Sequence, residues 1–300
     1  MKQRQKGQIA IILMIVVTLF SVGGIAHAVT AAHTAPNVAK ITTPLATPTP
    51  VTPTATPLPP VPALSVQGTQ FVDADGNPVT LVGATRQSLE YLCNGDGHFL
   101  PADFRAMRSW GMNTVRITVS SEFWAGSGGN CPNYHQTIAE AVSNAESVGM
   151  YVILALQWDA PFDTAHDRVY GGVQCPMPDN HKDVGMWRDL AQIYRYDQRV
   201  LFDVFSEPHD VNWNTWLNGG TISGAACYII SQGNGQTETG TYDAIGMRDL
   251  VAAVRAVSLH TIIIVSGLDW GYNLSDVGSG GVLSESNVVY STHPFNYGTK

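Results

Sequence analysis

Glu207 stands where a carboxyl has chemistry to do. It follows the apolar run Val200–Phe205 and Ser206, and it precedes Pro208. Such a run suits a buried strand, and Pro208, which cannot donate to a ladder, marks where the strand stops. Glu207 is then at the C-terminal tip of a strand, the end at which open α/β sheets and (β/α)8 barrels place their reacting groups. Other residues collect at matching positions. Arg116 lies inside Thr114–Val119. Gln157, Trp158 and Asp159 end Tyr151–Leu156. Ser266, Asp269 and Trp270 end Thr261–Ser266, and His293, Phe295 and Tyr297 end Asn287–Thr292. Polar and aromatic residues thus collect at one end of every strand, and flat aromatic rings suit sugar faces, though they also fill ordinary cores. Taken singly, each has a plainer reading: a solvated loop Glu, a buried Arg paired with a structural carboxylate, core Trp side chains, a core His. The shared polarity of one end of every strand favours a site.

The elements that carry these residues alternate. Strands are expected at Thr80–Ala84, 114–119, 151–156, 200–205, 261–266 and 287–292. Helices are expected at Ala102–Trp110, His135–Val148, Lys182–Arg195 and Asp243–Ser258. The helix at 135–148 has an apolar stripe of Ile138, Ala141, Val142 and Ala145, and Gly149 ends it. Strands apolar on both faces, separated by helices, argue for a parallel sheet covered by helices. Before them, Leu64–Val82 reads as a hairpin with turns at Gly68 and Asp73–Pro78, placed to plug the bottom of a barrel.

The chain divides into residues 1–28, 29–62 and 63–300. Lys2, Arg4 and Lys6 precede the apolar stretch Ile9–Phe20 and the small-residue end Ala26-His-Ala28. That is the layout of a secretory signal peptide, with an uncleaved signal anchor as the alternative. Either exports the rest, and contact with a membrane is expected only through this segment. The Pro/Thr-rich stretch up to Pro62 reads as an extended linker. A formal net charge of -8 and the absence of a basic stripe argue against nucleic acid as partner. Four cysteines, Cys93, Cys131, Cys175 and Cys227, fit an oxidising compartment. No Cys-x-x-Cys pair suggests zinc, and no metal site is expected. Three pairings are open. One cysteine follows each of the first four barrel strands, and rim neighbours favour Cys93–Cys131 and Cys175–Cys227.

Three strand-end stretches carry a resemblance. Asn113-Thr-Val-Arg116, Leu201-Phe-Asp-Val-Phe-Ser-Glu207-Pro-His209 and Val288-Val-Tyr-Ser-Thr-His293-Pro-Phe295 resemble glycoside hydrolase family 5, the cellulase family of (β/α)8 TIM barrels. The resemblance runs from about Leu64 to Lys300. It implies a secreted enzyme that cleaves a β-linked polysaccharide by a retaining, two-carboxylate mechanism without a cofactor. It makes Glu207 the general acid/base and gives Arg116 the ordering of the catalytic carboxylates. It places His293 against the reaction centre. In such a mechanism one carboxyl protonates the leaving oxygen while a second, about 5 Å away, attacks the anomeric carbon. Trp158 and Trp270 are then expected to stack on sugar rings.

The sequence departs from the family pattern in four places. Ser206 stands where the family has Asn, Gln157 where it has His, and Phe295 where it has Tyr, with Tyr297 close enough to substitute. The nucleophile Glu belongs after a seventh strand, beyond residue 300, so only about six of eight strand–helix units are expected here. The 300-residue chain is accordingly expected to be marginally folded, and inactive or weakly active. A non-catalytic carbohydrate-binding or remnant protein on the same scaffold is the competing reading. An unrelated metal-dependent barrel hydrolase is a third, for which only His293 offers a ligand.

Overall fold

A computed structural model describes residues 11–13, 59–126, 131–159, 173–228, 237–277 and 283–294. In chain order the strands are β1 (Ile11–Leu13), β2 (Ser65–Gln67), β3 (Gln70–Val72), β4 (Pro78–Val79), β5 (Gly83–Arg86), β6 (Thr114–Ser120), β7 (Tyr151–Trp158), β8 (Val200–Asp203), β9 (Gly219–Tyr228), β10 (Thr237–Ile245), β11 (Ile263–Ser266) and β12 (Val288–Thr292). The helices are α1 (Pro101–Ser109), α2 (Ser121–Trp124), α3 (Tyr134–Glu146), α4 (Lys182–Tyr194), α5 (Trp213–Asn218), α6 (Met247–Arg255) and α7 (Leu268–Gly271).

Six strands form a curled parallel half-barrel in the order β5-β6-β7-β8-β11-β12. Each strand sends every second residue to the interior. At the N-terminal end that interior is apolar. Tyr151, Ile153, Leu201, Ile262, Ile264 and Val289 cluster there with Leu64 and Phe71 of the preceding segment. The antiparallel sheet β2-β3-β4 is therefore the expected plug, pinned by Val66 N donating to Asn287 Oδ1 at 2.8 Å. Burying Leu64 and Phe71 contributes roughly 1.5–3 kcal/mol each. Further along the strands the interior turns polar: Arg116, Asp203, and Ser266 Oγ 2.9 Å from Ser291 Oγ. A plugged, greasy bottom and a polar upper layer position the site.

Two buried tryptophans hold strand ends. Trp187 Nε1 donates to Val204 O at 2.8 Å and Trp216 Nε1 to Ser266 O at 3.0 Å. Each indole fills the helix–sheet core and satisfies a carbonyl where its strand stops.

Several elements differ from expectation. The first barrel strand lies at Gly83–Arg86 rather than Thr80–Ala84, because Pro78–Val79 pairs with β3. Helix α6 begins at Met247, not Asp243. Residues 243–245 close the long antiparallel hairpin β9–β10, and Gly246 is the N-cap. One sheet edge is not bare, since Ile11–Leu13 pairs in parallel with β12. The unpaired N–H and C=O groups of an edge strand accept an apolar segment of this kind. Otherwise the expected signal or anchor and most of the linker lie outside the described residues. Among the described residues no helix is long and apolar enough to cross a membrane. Both expected disulfides are formed, Cys93–Cys131 and Cys175–Cys227.

Under the second disulfide sits a buried carboxylate group, Asp159, Asp179 and Asp183. Asp179 N donates to Asp183 Oδ2 at 2.7 Å. Burial pushes the Asp183 carboxyl well above its ordinary range, and the charges of Asp179 and Asp159 push the same way. The folded protein then keeps a proton that the unfolded chain releases above about pH 4. This contribution to stability is present below that pH and is lost as pH rises through the folded-state value. Asp183→Asn keeps an acceptor for the Asp179 N–H and removes the charge. It is expected to gain about 1–3 kcal/mol at pH 8 and to flatten the pH dependence. Urea denaturation at pH 5 and pH 8 checks this; an unchanged slope contradicts it.

Candidate active site

Glu207 leaves the sheet just past β8 in a left-handed conformation, φ +62°. Asp210, Asp269 and Trp270 share that region, with φ of +53°, +54° and +62°. Such a backbone costs about 1–3 kcal/mol per non-glycine residue and gathers where a fold aims side chains for use. Four of the six such residues among those described lie past β8 and β11, while Ser88 follows β5 and Asn287 precedes β12.

The Glu207 carboxylate is held at both oxygens. His293 Nδ1 lies 3.1 Å from Oε1, and Gln174 Nε2 donates to Oε2 at 3.1 Å. The side chain keeps 19% exposure, so the site opens to solvent there. Burial, the largest single influence, raises its proton affinity. The hydrogen bond and charge of His293, the Gln174 amide and the Arg116 charge outweigh burial, and the carboxyl ends below its ordinary range. It is an anion at neutral pH. Donating a proton requires raising that affinity, as a second carboxylate close by does. Among the described residues no second carboxylate contacts Glu207.

Arg116 is spent on another acid. Its Nε and Nη2 donate to Asp203 Oδ2 at 2.9 and 2.8 Å, and Nη2 also donates to Ser206 Oγ at 2.9 Å. The plainer reading of Arg116, a buried charge paired with a structural carboxylate, thus describes its main contact, and its charge still reaches Glu207. Ser206 is 1% exposed and lies behind Glu207 rather than in the opening. Nearby, Glu90 Oε2 accepts from Thr118 Oγ1 at 2.6 Å and from Ser88 N at 2.7 Å. Burial pushes its carboxyl up to about 6, against those hydrogen bonds.

The aromatic candidates separate. Trp158 is 3% exposed and tilts against Tyr91, so it packs in the wall. Trp270 is half-buried, and its ring stacks on His209 at 3.7 Å and 6°. His209 Nδ1 lies 3.0 Å from Asp210 Oδ2, and Trp270 N donates to Pro208 O at 3.0 Å. The ring is therefore locked to the loop that carries Glu207. Gln157 is half-buried at the end of β7. Phe295 and Tyr297 lie outside the described residues.

His293 rests on Gly271. Gly271 has φ +77°, and a Cβ there would lie 2.9 Å from His293 Cγ and 3.0 Å from Nδ1. Gly271→Ala is expected to displace the imidazole from Glu207 and to cost about 1–3 kcal/mol through the strained backbone. Denaturation curves read the cost. A titration of the Glu207 carboxyl reads the displacement, with a raised midpoint expected and an unchanged one contradicting it.

Sequence reasoning passed over Gln174, Asp203, His209 and Gly271. Asp203 left a trace, as the one charge inside its own apolar strand. Gln174 left none, because its place is set by the pairing of Val173 with Asp159 and by the Cys175–Cys227 disulfide. Among the described residues no group of three His, Cys, Asp or Glu side chains is arranged to hold a metal ion.

The family model for cellulase, glycosyl hydrolase family 5, matches residues 72–299. An endoglucanase from Clostridium saccharobutylicum is 25% identical over 237 residues, covering 77% of this chain and 42% of that protein. Endoglucanase A from Butyrivibrio fibrisolvens is 24% identical over 160 residues, covering 50% of this chain and 33% of its own length. The chain thus spans less than half of these relatives. Among solved structures, a β-glucanase from Saccharophagus degradans superposes with a TM-score of 0.57 at 22% identity. That match covers 81% of this chain and 65% of the other, and the fold is shared. The same β-glucanase has been solved with cellotetraose.

Proposed function

This chain belongs to glycosyl hydrolase family 5, the cellulase family, and from that premise we propose that it acts on a β-linked glucan outside the cell, with Glu207 as general acid/base. One observation carries the reading. Glu207 sits in a strained turn at the tip of the fourth barrel strand, tied at both oxygens yet open to solvent. His293 positions it, and Arg116 supports it through Ser206 and through charge. Trp270, backed by His209, is the ring presented for a sugar face. The glucan preference rests on relatives named endoglucanases, and export rests on the two disulfides and the N-terminal pattern.

A retaining reaction needs a second carboxylate about 5 Å from the first. On this reading Glu207 is the acid/base half of the pair, and no nucleophile is assigned. No cofactor enters this chemistry. Reducing ends released from soluble β-1,4-glucan and from β-mannan test the reading. Weak release from the glucan that disappears in Glu207→Gln is expected. Release that survives the substitution contradicts the assignment.

One observation favours a second reading, a carbohydrate-binding protein on the same scaffold: the carboxylate nearest to Arg116, Asp203, is buried in an ion pair rather than set against Glu207. Binding of cello-oligosaccharides that is undiminished by Glu207→Gln, with no hydrolysis, would select it.

A further inference from the structure

Gln174 is 3% exposed and reaches Glu207 from outside the sheet. Its position is fixed by the residues around it. Before it, Val173 and Asp159 exchange backbone hydrogen bonds of 2.8 and 2.9 Å, which ties this loop to the end of β7. After it, Cys175 is bonded to Cys227 on β9, and Cys175 N donates to Asp159 Oδ1 at 3.3 Å. Next, Pro176 O accepts from His209 N at 3.1 Å, two residues past Glu207. Met177 N and O are both bonded to the Tyr242 hydroxyl of β10, at 3.0 and 2.8 Å. A covalent bond and a hairpin thus hold the segment that delivers one amide to one carboxylate oxygen.

We propose that Gln174 is a positioning residue for Glu207, and that the Cys175–Cys227 disulfide holds it in place, so that opening the disulfide frees one oxygen of the carboxylate. The proposal rests on the reading of Glu207 as acid/base. The charged and titratable groups facing Glu207 among the described residues are His293 from the end of β12 and Arg116 from β6, with Asp203 of β8 neutralising Arg116. His209, in the same loop, stacks on Trp270. His293 and Arg116 belong to the sheet and stay when the loop loosens. Gln174 is the donor that leaves. Its amide favours the anion, so its departure makes Glu207 easier to protonate, the direction a proton donor needs. The oxidation state of one rim disulfide is thereby coupled to the acid strength of the candidate catalytic group. A dithiol reductant supplies the two electrons and two protons that convert the disulfide to two thiols, and is itself oxidised to a cyclic disulfide.

The test is a titration of the Glu207 carboxyl by carbon NMR in protein labelled at glutamate side chains, assigned with Glu207→Gln. It needs no turnover. Gln174→Met, similar in shape and without the donor, is expected to raise the midpoint by about one pH unit, the share of one hydrogen bond among the two or three that lower a carboxylate. Cys175→Ser/Cys227→Ser is expected to raise it in the same direction and to add nothing in the Gln174→Met background. Cys93→Ser/Cys131→Ser is expected to leave it in place. An unmoved midpoint in Gln174→Met overturns the proposal, and that single variant suffices if the cysteine variants do not fold. An equal shift on removing Cys175 and Cys227 with and without Gln174 overturns the disulfide's part. If Glu207→Ala proves to turn over all leaving groups equally, the acid/base reading fails while the titration still decides the Gln174 link.

Discussion

Arg116→Met is expected to destabilise the protein by about 3–5 kcal/mol, the usual cost of stranding one partner of a buried ion pair. Asp203 is 2% exposed at the side chain, and Arg116 supplies both hydrogen bonds to its Oδ2. Among the described residues Oδ1 has no hydrogen-bond partner, so nothing else there stands ready to replace the guanidinium. Water cannot easily reach this carboxylate, because every residue of β6 and β8 is buried. Against a typical total of about 5–15 kcal/mol, this is a large fraction. The double variant Arg116→Met/Asp203→Leu is expected to recover most of the loss, because an apolar pair replaces an ion pair at little cost. Urea denaturation of the parent, both single variants and the double variant closes the cycle. A single-variant loss below about 1 kcal/mol would mean that the pair behaves as a surface one. The function is predicted to suffer even where stability is recovered, since Ser206 loses its donor and Glu207 loses a charge that keeps it ionised.

Glu207→Ala is expected to lower turnover of unactivated β-glucosidic bonds by about 10²–10⁴, the usual share of general acid–base catalysis. The physical reason lies at the leaving oxygen. A sugar alkoxide is a poor leaving group and needs the proton, whereas a dinitrophenolate leaves without one. The loss on dinitrophenyl cellobioside is therefore expected to be far smaller in bond cleavage. Added azide, an anion that fits the space left by the carboxylate and needs no base, is expected to recover part of the rate. A structural Glu predicts equal losses on both substrates and no recovery. His293 enters here too, because its contact with Oε1 holds the carboxylate in place.

What was legible in the chain followed from local patterns. The run Val200–Phe205 stopped by Pro208 placed Glu207 at a strand tip. The same strand-end logic placed Arg116, Trp270 and His293, and the structure brings His293 and Glu207 to 3.1 Å. Alternating elements made the barrel class readable, and cysteines after successive strands made the disulfides readable. The hairpin β9–β10 was not readable. Its strands, Gly-Gly-Thr-Ile-Ser-Gly-Ala-Ala-Cys-Tyr and Thr-Glu-Thr-Gly-Thr-Tyr-Asp-Ala-Ile, are rich in Gly and Thr and carry little apolar alternation. Both strands are tied instead to the segment 175–177, β9 by the disulfide and β10 by Tyr242. Gln174 was illegible too, since its contact depends on the ties of Val173 to Asp159 and of Cys175 to Cys227, which are distant in sequence. Ser206 was placed correctly along the chain but not in direction: the backbone turn that sets φ of +62° at Glu207 leaves Ser206 facing Arg116. Trp158 had the right strand end and the wrong surroundings, because Tyr91 covers it.

The most direct measurement of the central claim uses an affinity label that does not depend on turnover. N-bromoacetyl-β-cellobiosylamine carries its electrophilic carbon where a glycosidic leaving group would sit. The acid/base carboxylate is the group that attacks it, forming an ester as bromide leaves. If Glu207 is that group, mass spectrometry will find one adduct per chain, on the peptide containing Glu207. Excess cellobiose will suppress the adduct and Glu207→Gln will abolish it. An adduct on another carboxylate, or labelling that persists in Glu207→Gln, would contradict the account.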